Sequence, residues 1–102
     1  MSGYIETAHI EEIPKNGMKR VNIGRLEILL VNADGKFYAV ENQCPHMGYP
    51  LYLGSLEGTT LTCGFHYAKF DITTGRALGP TTQRPLKTFK IKIQNSRILI
   101  KP

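Results

Sequence analysis

Gln43-Cys44-Pro45-His46-Met47-Gly48-Tyr49-Pro50-Leu51 and Cys63-Gly64-Phe65-His66-Tyr67-Ala68-Lys69-Phe70-Asp71 hold both cysteines of the chain and two of its three histidines. Each stretch offers one thiolate and one imidazole a short step apart. The pattern is C-x-H, then sixteen residues, then C-x-x-H. Two thiolates and two imidazoles suit a tetrahedral zinc ion. The usual zinc spacing groups like with like, a cysteine pair followed by a histidine pair. Here each half is mixed, and C-x-H is very tight for two ligands of a single metal. On the residues alone, a zinc site and a site holding more than one metal both stay open.

Outside these two stretches the chain reads as strands. Leu26 to Asn32 and Lys36 to Asn42 flank Asp34-Gly35, a strong short hairpin signal. Phe89, Ile91 and Ile93 alternate with Lys90, Lys92 and Gln94, the pattern of a half-buried strand. Asn95-Ser96 turns that strand into Ile98-Leu99-Ile100. Tyr4 to Ile10 supplies a further strand, and His9 within it reads as a surface residue. Between the strand blocks, Gln43 to Pro80 is rich in glycine, proline and aromatic residues, with tight turns at Glu57-Gly58 and Thr74-Gly75. No helical period, repeat or linker interrupts this organisation. The reading is all-β: a small antiparallel sandwich or barrel from residues 1–42 and 81–102, with an inserted, ligand-bearing subdomain over residues 43–80.

Length and charge narrow the function. The 102 residues make one domain, small enough to gain from a covalent or metal staple. If both cysteines are ligands, none remains for a disulfide, which fits a reducing compartment. The N-terminal residues show no signal-peptide pattern. The longest clearly apolar run, Ile28 to Val31, is too short to cross a membrane. These features predict a soluble cytoplasmic protein with neither a membrane nor a nucleic-acid partner. The formal net charge is +5. Its plain reading is lysines on solvated strand faces, beside which a dedicated basic docking patch is the sharper alternative. There is no Gly-rich dinucleotide fingerprint and no Ser/His/Asp set, so no catalytic residue is assigned.

The ligand pattern resembles that of the Rieske iron–sulfur proteins. The similarity to Rieske-type ferredoxins spans nearly the whole chain and is sharpest from Asn42 to Pro80. It implies one [2Fe–2S] cluster per chain, with Cys44 and Cys63 on one iron and His46 and His66 on the other. Two loops would meet the cluster from opposite sides, each giving a sulfur to one iron and a nitrogen to the other. Gly79-Pro80 resembles the third loop that covers the cluster, with Thr81 where many relatives carry a second proline. Gly48 and Gly64 would let backbone approach the cluster, Pro45 would stiffen the first loop, and Met47 would shield the cluster or meet a partner.

The resemblance also separates two branches. In the high-potential branch a disulfide joins the two loops at positions matching Tyr49 and Phe65. An aromatic pair there would hold the loops by burial instead. That branch also sets a serine and a tyrosine hydroxyl against cluster sulfurs, at positions matching Ala68 and Phe70. Hydrogen bonds to sulfur stabilise the added electron, so their loss implies a low potential for a Rieske centre. The implied function is a soluble one-electron carrier between a reductase and an oxygenase or related terminal enzyme. His46 and His66 would form the electron exit, their free ring nitrogens making the midpoint fall at alkaline pH. Two other functions carry the same motifs: a small subunit of a larger reductase of the nitrite reductase type, and a non-redox zinc- or cluster-stabilised binding or sensor module.

Overall fold

The computed structural model describes residues 3–43, 50–64, 68–78 and 85–102. Ten strands form two antiparallel sheets among these residues. They are β1 (Ile5–His9), β2 (Met18–Ile23), β3 (Leu26–Ala33), β4 (Lys36–Glu41), β5 (Ser55–Glu57), β6 (Thr60–Thr62), β7 (Lys69–Asp71), β8 (Ala77–Leu78), β9 (Thr88–Gln94) and β10 (Arg97–Lys101). The larger sheet runs β1-β10-β9-β4-β3-β2 and the smaller β5-β6-β7-β8. The helical structure described is two single 3₁₀ turns, Ile10–Glu12 and Leu51–Leu53.

Strand β3 explains why one sequence makes two layers. Every residue from Ile28 to Ala33 is buried. Successive side chains of a strand point to opposite faces. Ile28 and Leu30 pack with Ala8, Ile13, Ala39, Ile98 and Ile100. Val21 and Ile23 from β2 border that same group. The two edge strands, β1 and β2, thus feed one core, so the large sheet curls upon itself as a near-barrel. Leu29, Val31 and Ala33 point the other way and pack with Leu61, Ala68, Phe70 and Ile72 of the small-sheet region. The apolar run is therefore a strand buried on both faces.

The polar residue that interrupts this run is satisfied. Asn32 is 7% exposed. Its Nδ2 donates to the Ile13 carbonyl at 2.9 Å, and its Oδ1 accepts from the Gly35 N–H at 2.8 Å. A buried amide bonded through both ends costs little, and it fixes the turn that follows.

The hairpins follow their turn residues. Asp34 and Gly35 both have positive φ (53° and 94°) between paired Ala33 and Lys36. Asn95 and Ser96 repeat this geometry (54° and 63°) between Gln94 and Arg97. Both loops match the primed turn whose twist suits antiparallel strands. The expected β9 alternation holds for Phe89 and Ile91 but not for Ile93, which is 45% exposed. Strand β4 flanks β9 only at Thr88 and Phe89. Past that point one side of β9 is uncovered. β2 has no counterpart among the sequence expectations, because Gly24-Arg25 is a weaker turn signal than Asp34-Gly35.

The small sheet is fastened to the route back into the base by Gly75 and Leu86. The Leu86 N–H donates to the Gly75 carbonyl at 2.6 Å. Gly75 has φ of +82°, and a Cβ there would lie 2.1 Å from the Leu86 carbonyl oxygen. The turn before it is built on Asp71. Its Oδ1 accepts from both the Thr73 N–H (2.9 Å) and the Thr73 hydroxyl (2.7 Å). These bonds, with the Arg76 charge nearby, hold the Asp71 carboxyl below its usual range. A depressed native pKa stabilises the fold above the unfolded aspartate pKa, about 3.9. That contribution is lost as pH falls through the native value.

Gly75→Ala should cost about 1–3 kcal/mol for the left-handed φ alone, with the Leu86 overlap adding to it. Gly58 has φ of +60° and open space around it, so Gly58→Ala reports the φ cost without a clash. Urea denaturation of both variants checks this. Equal losses would show that the close approach at Gly75 is not a constraint.

Candidate metal centre

The described residues bracket the two ligand stretches and show how each is closed. The first leaves the base after β4. Asn42, which follows β4, is 2% exposed. Its N–H donates to the Glu27 carbonyl at 3.0 Å, tying it to the start of β3. Its Oδ1 accepts from the Tyr52 N–H at 2.8 Å. One side chain thus joins the residue entering the first stretch to the turn that leaves it. That turn is held again by Leu51, fully buried in the core shared with the small sheet, and by Arg20, whose guanidinium lies 4.7 Å from the Tyr52 ring centroid.

The second stretch is closed by its own backbone. The Cys63 N–H donates to the Ala68 carbonyl at 2.7 Å, which joins the residue after β6 to the residue before β7. Cys63, Ala68 and Phe70 have no exposed surface, and all three belong to the apolar cluster that contains Leu29 and Val31. A thiolate in dry apolar surroundings suits a soft metal group that it neutralises, and it keeps water from the sulfur. Gly64, by contrast, is exposed. Of the expected ligands, Cys63 is described in place. Cys44, His46 and His66 lie outside the described residues. So do Pro45, Met47, Gly48, Tyr49, Phe65, Gly79, Pro80 and Thr81. Among the described residues no group of three or more His, Cys, Asp or Glu side chains forms an alternative metal cradle. His9 is exposed at the end of β1, and its N–H donates to Glu12 at 2.7 Å.

The donor types, the buried Cys63 thiol and the joined ends of the two stretches fit an iron–sulfur group. Comparison with known proteins decides the family: the Rieske [2Fe–2S] domain matches residues 3–90. The chain belongs to the Rieske family. The cofactor of this family is the [2Fe–2S] cluster, which sets the zinc alternative aside. The chain is 34% identical to the ferredoxin component of naphthalene 1,2-dioxygenase/salicylate 5-hydroxylase systems of Ralstonia sp, over 96% of this chain and 94% of that protein. It is 32% identical to apoptosis-inducing factor 3 of Mus musculus over 91% of this chain, but only 15% of that protein. Among solved structures it resembles the Sphingomonas yanoikuyae B1 ferredoxin, with a TM-score of 0.91, 26% identity and coverage of 97% and 98% of the two chains. The all-β expectation therefore holds. No helix among the described residues is long and apolar enough to cross a membrane.

Sequence reading passed over Asn42 because asparagine beside a cysteine loop looks like ordinary turn chemistry. The available signal was its place just after the apolar pair Ala39-Val40 at the end of a strand, where a polar side chain needs a partner. Asn42→Ala should cost about 1–3 kcal/mol for the unpaired Tyr52 amide. It should also shorten the lifetime of the bound cluster under chelator challenge. Asn32→Ala, a comparable buried loss placed in the base, should leave that lifetime near wild type in the folded protein. Equal lifetimes for the two variants would reduce Asn42 to a general stability residue.

Proposed function

We propose that this chain is the ferredoxin component of a multicomponent oxygenase system, a cytoplasmic protein that carries single electrons from a reductase to a terminal oxygenase. The observation that carries this reading is the end-to-end match to a free-standing ferredoxin component, with more than nine-tenths of both chains aligned. A Rieske domain serving inside a larger polypeptide aligns with only a fraction of that polypeptide, as apoptosis-inducing factor 3 does.

In this reading Cys44 and Cys63 hold one iron and His46 and His66 the other. Residues 43–80 form the cluster-binding subdomain on a base of residues 1–42 and 81–102. When bound, the cluster supplies reversible one-electron uptake with no open coordination position for substrate. The remaining work belongs to the chain. Asn42 and the Cys63–Ala68 bond set where the ligand loops begin and end. Leu51, Leu61, Ala68 and Phe70 keep the Cys63 side dry. Ala68 and Phe70 offer no hydroxyl, so they leave the reduced state less stabilised than serine and tyrosine would.

Coulometric titration of the holoprotein tests the carrier role. It should take up one electron per chain, with a midpoint in the lower part of the roughly −150 to +300 mV span of Rieske centres. Single substitutions Cys44→Ser, His46→Ala, Cys63→Ser and His66→Ala should each lose most of the visible absorbance and bound iron. A variant that kept its full cluster would strike that residue from the ligand set. A protein that binds no iron, or takes up no electron, would overturn the carrier reading.

A further inference from the structure

We propose that the lysine face of β9 and β10 is a docking surface for a carboxylate-rich patch on a redox partner protein; the proposal rests on the carrier reading above. Phe89 and Ile91 of β9, and Ile98 and Ile100 of β10, turn toward the barrel core. Strand alternation therefore puts Lys90, Lys92 and Lys101 on the opposite, outer face. Lys90 and Lys101 are directly paired across the two strands. Like charges in that position repel and weaken the sheet. Lys87, just ahead of β9 on the parity of Phe89, joins them by lining one groove with Lys90 and Lys101, and all four lysines are exposed.

Three other cations of the base are matched. Lys15 pairs with Asp34 at 3.0 Å, Lys19 with Glu12 at 3.5 Å, and Arg97 with Glu6. Among the described residues none of the four lysines of this face pairs with a carboxylate. Glu6, reached from Lys92 across Leu99, is already taken by Arg97. Two of the four lysines are steered by aromatic rings instead. The Lys87 Nζ lies 5.3 Å from the Phe89 centroid, and the Lys92 Nζ 5.9 Å from that of Tyr4. Ring contacts orient an ammonium without neutralising it.

The surface is also concave. Lys87, Thr88, Phe89, Lys90, Lys101 and Pro102 line an open groove of about 300 Å³. An acidic protein patch would bring the missing carboxylates and relieve the Lys90–Lys101 repulsion on contact. The position favours a redox partner. The Lys87 carbonyl accepts from the Glu41 N–H at 2.9 Å, and Glu41 stands three residues before Cys44. A partner on this face would sit beside the entry to the first ligand stretch. Charge complementarity there raises the rate of productive encounter more than the strength of the complex.

The test uses folded holoprotein and fluorescein-labelled poly-L-glutamate, read by anisotropy at low ionic strength. Lys90→Gln/Lys101→Gln should weaken binding roughly fivefold or more. It removes a repulsion, so it should melt no lower than wild type. Arg25→Gln/Lys36→Gln makes the same change in net charge at the β2–β3 and β3–β4 turns and should weaken binding less than about twofold. Equal weakening by both pairs would make binding a matter of net charge and overturn the proposal. Tighter binding of single-stranded oligo-dT, with the same dependence on Lys90 and Lys101, would assign the face to nucleic acid and overturn it equally. The assay reads binding rather than electron transfer, so its failure is distinct from failure of the one-electron titration.

Discussion

The structure depends on one strand that has no solvent face from Ile28 to Ala33. Leu26–Ala33 sends Ile28 and Leu30 into the barrel core and Leu29, Val31 and Ala33 into the core beneath the small sheet. Burying one large aliphatic side chain contributes about 1.5–3 kcal/mol. A strand that does this on both sides couples the two layers. The small sheet has four short strands and could not stand alone. It borrows part of its core, Leu29, Val31, Ala33 and Val40, from β3 and β4. Cys63 lies in that borrowed core. The thiol proposed as a ligand is therefore set by the same packing that holds the fold together.

Among the described residues, the ends of the two ligand-bearing stretches are joined by polar contacts that differ in kind. A buried side chain, Asn42, closes the first against Tyr52. A backbone bond, Cys63 to Ala68, closes the second. The side-chain closure is open to mutation. The backbone closure depends instead on β6 and β7 staying in register, Leu61 opposite Phe70. Phe70 is thus a core residue of the small sheet as well as a neighbour of the cysteine side. Gly75, whose carbonyl accepts from Leu86, fastens the far side of the same sheet to the chain returning toward β9.

Much of this was legible in the sequence. The mixed Cys/His pairs, the Asp34-Gly35 and Asn95-Ser96 hairpins and the apolar run at Ile28–Val31 each have a local physical cause, so they can be read without neighbours. The partner of each buried polar group could not be read that way. Asn42 and Asn32 look alike as letters, yet one spans a ligand stretch and the other braces a turn in the base. Pairing across the sheet was equally hidden. That Lys90 faces Lys101 follows from the register of β9 on β10, which composition does not carry. Ile93 shows the same limit, since its alternation is that of a buried residue but no strand flanks that side.

We infer that two mixed Cys/His pairs on this base hold one [2Fe–2S] cluster, with nitrogen on one iron and sulfur on the other. Electron paramagnetic resonance of the dithionite-reduced protein, with iron and zinc assayed on the same sample, tests it most directly. A rhombic signal with the low average g of a histidine-ligated cluster and about two irons per chain is expected. A silent sample containing zinc, or a signal with the higher average g of an all-cysteine cluster, would contradict it.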